Sequence, residues 1–207
     1  MRVWGRENTR MGQWDAGMTT GAHLELRTDR LWLRRWRPAD KGPFASLNAD
    51  PVVMEHFPSA LDRVGSDAFA DRIETGFEAR GYGLWAVEIP GEAEFIGFVG
   101  LALHDFPAHF TPAVEIGWRL AREYWGRGFA TEAARAAVAD GFDRVGLSEI
   151  VSFTVPANVR SVAVMQRLGM THDPAGDFDH PRLPVGHHLR RHVLYRLSRA
   201  NYKRDPD

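Results

Sequence analysis

The chain has 207 residues, with 26 Lys and Arg against 27 Asp and Glu, nine His and no Cys. That length suits one globular domain with a sizeable core, and 44% hydrophobic with 26% charged residues is the composition of an ordinary globule. The absence of cysteine excludes disulfides, thiolate metal sites and a cysteine nucleophile; a net charge of −1 gives no general pull toward DNA or an acidic membrane; and no apolar run is long enough to span a bilayer.

Residues 1–20 carry no helical or strand period and lack the apolar stretch of a secretory signal. They are expected to form a flexible N-terminal extension of a cytoplasmic protein, with Met18 a candidate functional start. Ordered structure is expected over 21–200, followed by a tail at 201–207. The stretch 31–36 (Leu-Trp-Leu-Arg-Arg-Trp) reads as a first strand. Two short helices are expected at 43–48 and 51–57. A longer helix follows, capped by Ser66, in which Phe69, Ile73 and Phe77 recur every fourth residue until Gly81 breaks it. Strands are expected at 84–89 and 95–103 around the turn Pro90-Gly91-Glu92, and at 113–120. Next come a helix from Phe129 to about Arg144 with a small-residue face, a strand at 150–155, and a helix from Asn158 to Leu168 stopped by Gly169. A loop over 171–188 separates a short strand near Met170 from a last strand at 191–197. Strands with interspersed helices make an α/β (α+β) fold, one domain with a mixed central sheet of about seven strands.

The chemistry concentrates between Glu115 and Ala133. A strand runs into Gly126-Arg127-Gly128, which opens a helix at once. Glycines let successive N–H groups converge at a helix N-terminus, where an anion such as a pyrophosphate is favoured. Arg127 would add a charge-assisted contact. A dinucleotide loop would need a third glycine and an acid on the next strand, but Thr131 and the strand 150–155 supply neither. The lysine of a Walker loop is also absent. A purely structural turn stays open.

Three segments resemble the GNAT superfamily of acetyl-CoA-dependent N-acetyltransferases. Trp125-Gly126-Arg127-Gly128-Phe129-Ala130 is similar to its acyl-CoA-binding loop, with Trp125 in place of the usual Gln or Arg. Asn158 to Met170 is similar to its Asn-x-x-Ser helix ending in Arg-Leu-Gly. Leu24 to Arg34 resembles the opening of the branch that contains the ribosomal-protein N-terminal acetyltransferases. The resemblance implies a splayed pair of strands holding acetyl-CoA. The cofactor contacts would come from Trp118, Arg119 and Leu120, then Gly126, Arg127, Gly128, Phe129, Ala130 and Thr131, and finally Asn158 and Arg167. A backbone amide of the splayed strand would face the oxyanion of the tetrahedral intermediate.

Many members use a tyrosine to protonate the departing thiolate, and that position here is Met165. Ser161, a helical turn earlier, is the substitute donor, against the plain alternative of a surface serine. Glu115 is the leading candidate for the base that frees the attacking amine, against a strand-edge charge. Asp177, Asp179 and His180 are candidates for the acceptor side. The acceptor is expected to be a primary amine, either a protein N-terminus or a small amine, with a homodimer left open. No metal is expected: His188 and His192 have i, i+4 spacing but fall where a loop enters a strand. Two other classes stay open. One is a non-catalytic acyl-CoA-binding module. The other is an RNA-binding accessory using the basic end 182–207, where seven Lys and Arg face two acids.

Overall fold

The computed structural model describes residues 25–203, so the N-terminal extension lies outside the described residues. In chain order the elements are β1 (Leu26–Arg27), β2 (Trp32–Arg34), α1 (Lys41–Ala49), α2 (Arg63–Arg80), β3 (Leu84–Ile89), β4 (Ala93–His104) and β5 (Ala113–Leu120). Then follow α3 (Phe129–Asp143), β6 (Glu149–Thr154), α4 (Val159–Arg167), β7 (Thr171–His172), β8 (Phe178–Asp179) and β9 (Arg191–Ser198). One open mixed sheet has the order β1-β2-β3-β4-β5-β6-β9-β7, with β8 paired to β9. The sheet has nine strands rather than about seven. The two additional ones, β1 and β8, are only two residues each, too short for a period to register.

Two helical expectations change. Residues 51–57 form turns, because the Asp50 carboxylate accepts from Val52 N at 2.8 Å and competes with helical bonding. The cap of α2 is Asp62, whose Oδ1 accepts from Gly65 N at 2.7 Å, so the helix begins before Ser66. Ser66 is fully buried one turn inside, where its Oγ accepts from Asn48 Nδ2 at 2.9 Å and ties α2 to α1.

Arg34 anchors the β2 side of the sheet. Its guanidinium is completely buried and all five of its N–H groups are used. Two reach Asp40 at 2.7 and 2.8 Å, one Glu88 at 2.7 Å, and the others the carbonyls of Arg35 and Glu94. Burial alone would lower its pKa, but these carboxylate contacts raise it.

The gap that defines the site lies between β5 and β6. β4 and β5 pair continuously from His104↔Ala113 to Gly97↔Leu120, whereas the parallel pair β5–β6 holds only at Glu115↔Val151. Beyond that point the strands diverge. β4 follows the bend through glycines: a Cβ on Gly97 would lie 2.1 Å from the Arg119 carbonyl, and one on Gly100 2.1 Å from that of Gly83.

Candidate active site

The divergence opens a groove of about 1340 Å³. Its walls are the β5 end (Trp118–Leu120), the glycine turn and first turns of α3, α4 with Asn158, and the segment Val52–Phe57. The groove is long enough for an extended ligand and is open along one side.

At one end α3 starts on Gly128, which adopts the left-handed conformation (φ 83°) and offers no side-chain cap. Gly126 is also left-handed (φ 73°). A side chain at either position would be strained, and the uncapped N–H groups of Phe129, Ala130 and Thr131 are left for a ligand anion. Arg30, Arg135, Arg160 and Arg167 line the same groove, so the cationic wall comes from the β1–β2 connection, α3 and α4. Trp125, at the position of the usual Gln or Arg, donates its indole N–H to the Leu120 carbonyl at 2.7 Å. Arg160 stacks on the other side of that indole, 4.7 Å from the ring centre.

At the other end, Trp118 and Ser161 meet across the gap. Trp118 Nε1 donates to Ser161 Oγ at 3.3 Å, which occupies an acceptor lone pair and leaves the hydroxyl proton free to be given away. Ser161 is fixed in turn by Asn158, the N-cap of α4, whose Oδ1 accepts from Ser161 N at 3.3 Å while Nδ2 donates to Thr154 Oγ1 at 3.0 Å.

Residues 30–171 match the acetyltransferase (GNAT) domain family, which covers well over half of the chain. The chain belongs to the GNAT acetyltransferases. An uncharacterized protein YkkB of Bacillus subtilis is 30% identical over 72% of this chain and 86% of its own. The FsC-acetyl coenzyme A-N(2)-transacetylase of Aspergillus fumigatus is 32% identical over 75% of this chain and 68% of its own. Among solved structures, an acetyltransferase from Agrobacterium tumefaciens superposes with a TM-score of 0.68 at 28% identity, covering 93% of this chain and 99% of that one.

Of the residues singled out in the sequence, this GNAT groove brings together Ser161, Trp118, Arg119, Leu120, Gly126, Gly128, Phe129, Ala130, Thr131, Asn158 and Arg167. Arg127 instead turns toward a shallower hollow, pairing with Glu92 at 3.0 Å. Arg119 turns to the opposite face of β5 from Trp118, as strand alternation requires. There it is 8% exposed, stacked 4.0 Å from the Phe57 ring centre and bonded through Nη1 to Asn48 Oδ1. Burial pushes its pKa down to about 10, so it remains a cation at neutral pH.

The acceptor-side candidates stand apart from the groove wall. Asp177 accepts from Leu194 N at 3.0 Å and pairs with His172 at 2.9 Å, and Asp179 pairs with Arg190 at 3.2 Å. These acids fasten the 171–188 segment to β9. His180 packs among Phe106, Phe178 and His192, and burial, with the charges of His192 and Arg182, lowers its pKa to about 4. Among the described residues no group of three or more His, Asp or Glu could hold a metal ion.

Glu115 sits where β5 and β6 part, on the same sheet face as Arg119. His104 Nε2 lies 2.6 Å from Glu115 Oε2, and because the ring N–H is not aimed along that line the contact is an ion pair rather than an aligned hydrogen bond. Burial is the largest single influence and pulls the His104 pKa down, but the close Glu115 carboxylate and a smaller push from Asp105 together outweigh it, and the net value is raised above 6.5. The stability this pair contributes is therefore full below the ordinary histidine range and fades as pH climbs through the raised value. Removing the anion by Glu115→Gln leaves burial and Arg182 dominant, so the His104 pKa should fall below 6.5 in an NMR titration. A value unchanged from the parent would show that Glu115 does not hold the imidazole.

The walls the sequence reading missed are Val52–Phe57, Arg30, Arg135 and Arg160. Arg30 and Arg160 fall inside two of the family-like segments but at positions to which those segments assign no role, and Arg135 lies outside them; the arginines near the glycine turn and the Asn158 helix were the available signal for Arg135 and Arg160.

Proposed function

We propose that the chain transfers the acetyl group of acetyl-CoA directly to a primary amine within a ternary complex. The observation that carries this is the convergence, in one groove, of an uncapped helix start at Gly128 and a proton-ready Ser161 on either side of the β5 edge from which β6 diverges. The fit to acetyl-CoA is supported by the groove's size, its arginine wall and the free strand edge, against which an extended amide-bearing arm can bond. The α3 N-terminus and Arg135, Arg160 and Arg167 would hold the phosphates. The main-chain groups of Trp118–Leu120 would align the thioester and stabilise charge on its oxygen.

In the transfer, the amine lone pair forms the new C–N bond to the acetyl carbon. The C–S bond breaks with its electron pair going to sulfur. Ser161 Oγ–H gives its proton to that sulfur, and the surplus amine proton leaves toward Glu115, through water. An α-amine needs little help: with a pKa near ~8, roughly 10% is neutral at pH 7, against about 0.04% of a lysine amine. The α-amine of a peptide or of a small molecule is thus the acceptor class proposed.

The test is release of CoA thiol by the purified full chain with acetyl-CoA and a panel of primary amines. Amine-dependent release is expected. Acetyl-CoA binding with no release from any amine would overturn the catalytic reading and leave an acyl-CoA-binding module.

A further inference from the structure

Among the described residues two arginines are buried, Arg34 and Arg119, and their surroundings differ. Arg34 spends all five donors on two carboxylates and two carbonyls. Arg119 has no carboxylate at ion-pair distance among the described residues, and its contacts there are an amide oxygen and three aromatic faces. Its Nε is buried without any hydrogen-bond partner. A cation withdrawn from water without a counter-ion is costly, and an unsatisfied buried donor in a native structure calls for a specific explanation.

We propose that Arg119 is the acceptor-recognition residue of the groove, so that the amine substrate is a small molecule bearing a carboxylate, which supplies the missing counter-ion. The inference rests on the acetyltransferase reading above and narrows its acceptor.

The position of Arg119 supports the assignment. It is the middle residue of the strand end that lines the groove, and its side chain projects to the face opposite Trp118 and Ser161. The thiol-side machinery and the cation therefore lie on either side of the reacting strand. Phe57 covers the guanidinium on that side, and the groove segment it belongs to (Val52, Val53, Glu55, His56 and Phe57) contains no lysine or arginine. Glu55, the acid of that segment, has a side chain 66% exposed and neighbours His56, not Arg119.

The guanidinium is also held for the purpose. Ser66 Oγ accepts from Asn48 Nδ2, Asn48 Oδ1 accepts from Arg119 Nη1, and Phe57 covers the guanidinium plane. With Nη1 engaged, the Nε–Nη2 edge is the one left for a two-point contact, which is the geometry a carboxylate matches. The Phe57 segment, built of turns rather than helix, is the element that has to shift to admit it.

The experiment compares matched pairs, α-amino acids and their primary amides, as acceptors at saturating acetyl-CoA, with kcat/KM referred to the unprotonated amine of each, because the carboxylate makes an amino acid's amine more basic than its amide's. The full chain should favour the acid over its amide by roughly tenfold or more in kcat/KM. Arg119→Gln should bring the ratio close to one, and Arg119→Lys should keep part of it. Amides used as well as acids by the parent chain, a preference that survives Arg119→Gln, or a peptide with a blocked C-terminus used as well as the free amino acid, would each overturn the proposal. If the Gln variant does not fold, the parent acid-to-amide ratio decides alone.

A second readout separates this inference from the reading beneath it. The CoA-loaded chain is titrated calorimetrically with N-acetyl amino acids and with their amides. Carboxylate-selective binding without turnover of any amine would sink the acetyltransferase reading and keep the Arg119 site. Turnover of amines with no selectivity would do the reverse.

Discussion

Replacing Arg34 by Met should destabilise the protein by about 3–5 kcal/mol in urea unfolding, more than any change at the groove. The cause is what stays behind. Asp40 is 2% exposed and loses both guanidinium bonds, keeping the Arg37 N–H at 2.7 Å. Glu88, with a side chain 13% exposed, loses its closest partner and keeps only the half-exposed Arg37 at 3.2 Å. The Glu94 carbonyl loses its N–H donor as well. Two sheltered carboxylates of like sign would then face one another across the hole. Removing the anion together with the cation, as in Arg34→Met with Asp40→Leu, should recover much of the loss, because the unpaired charge and not the missing attraction is the dominant penalty. A single variant within about 1 kcal/mol of the parent would mean that the network is solvated and carries little.

Ser161→Ala should lower kcat by roughly 100-fold while leaving the dissociation constant of acetyl-CoA within about twofold, as expected for loss of a general acid. The hydroxyl accepts from Trp118 Nε1 and gives its own proton to no acceptor among the described residues, while Asn158 fixes the backbone N–H beneath it. Substitution by Ala keeps the α4 N-cap, because the cap uses the Ser161 amide and not the side chain. The loss should be smallest at high pH, where a thiolate leaves unaided, its conjugate thiol having a pKa near ~8.5. An unchanged kcat at all pH values would return Ser161 to the status of a helix-surface serine.

The parts of the molecule readable from sequence are those where local pattern and tertiary role coincide. β3 and β5 have the bounds expected from alternation, and α3 begins at Phe129 because the glycine turn that ends one element starts the next. Motifs around Gly126–Thr131 and Asn158–Ser161 carry their own geometry, so much of the groove wall follows from them. Residues 51–57 form turns instead of the expected short helix because the Asp50 side chain bonds the backbone locally, a competition that residue types alone do not resolve. Ser66 was misread because a serine one turn inside a helix looks the same as one at its start until its partner, Asn48, is known. The partners of Asp177 and Asp179, namely His172, Arg190 and the Leu194 amide, come from β7 and β9 or the chain just before it, and the loop's own sequence does not show them. Arg119 illustrates the limit most clearly. The sequence places it in the splayed strand, but only the fold shows that its side chain leaves the thiol face and lies buried without a counter-ion.

The central claim is that the amine attacks the thioester directly while both substrates occupy the groove between β5 and β6. It is tested most directly by initial velocities of CoA release at several fixed amine concentrations, with acetyl-CoA varied. A chain with no cysteine and a groove that takes both partners predicts intersecting double-reciprocal lines, with thiol release strictly dependent on amine. Parallel lines, or thiol release accompanied by acetylation of the protein itself in the absence of amine, would contradict the account.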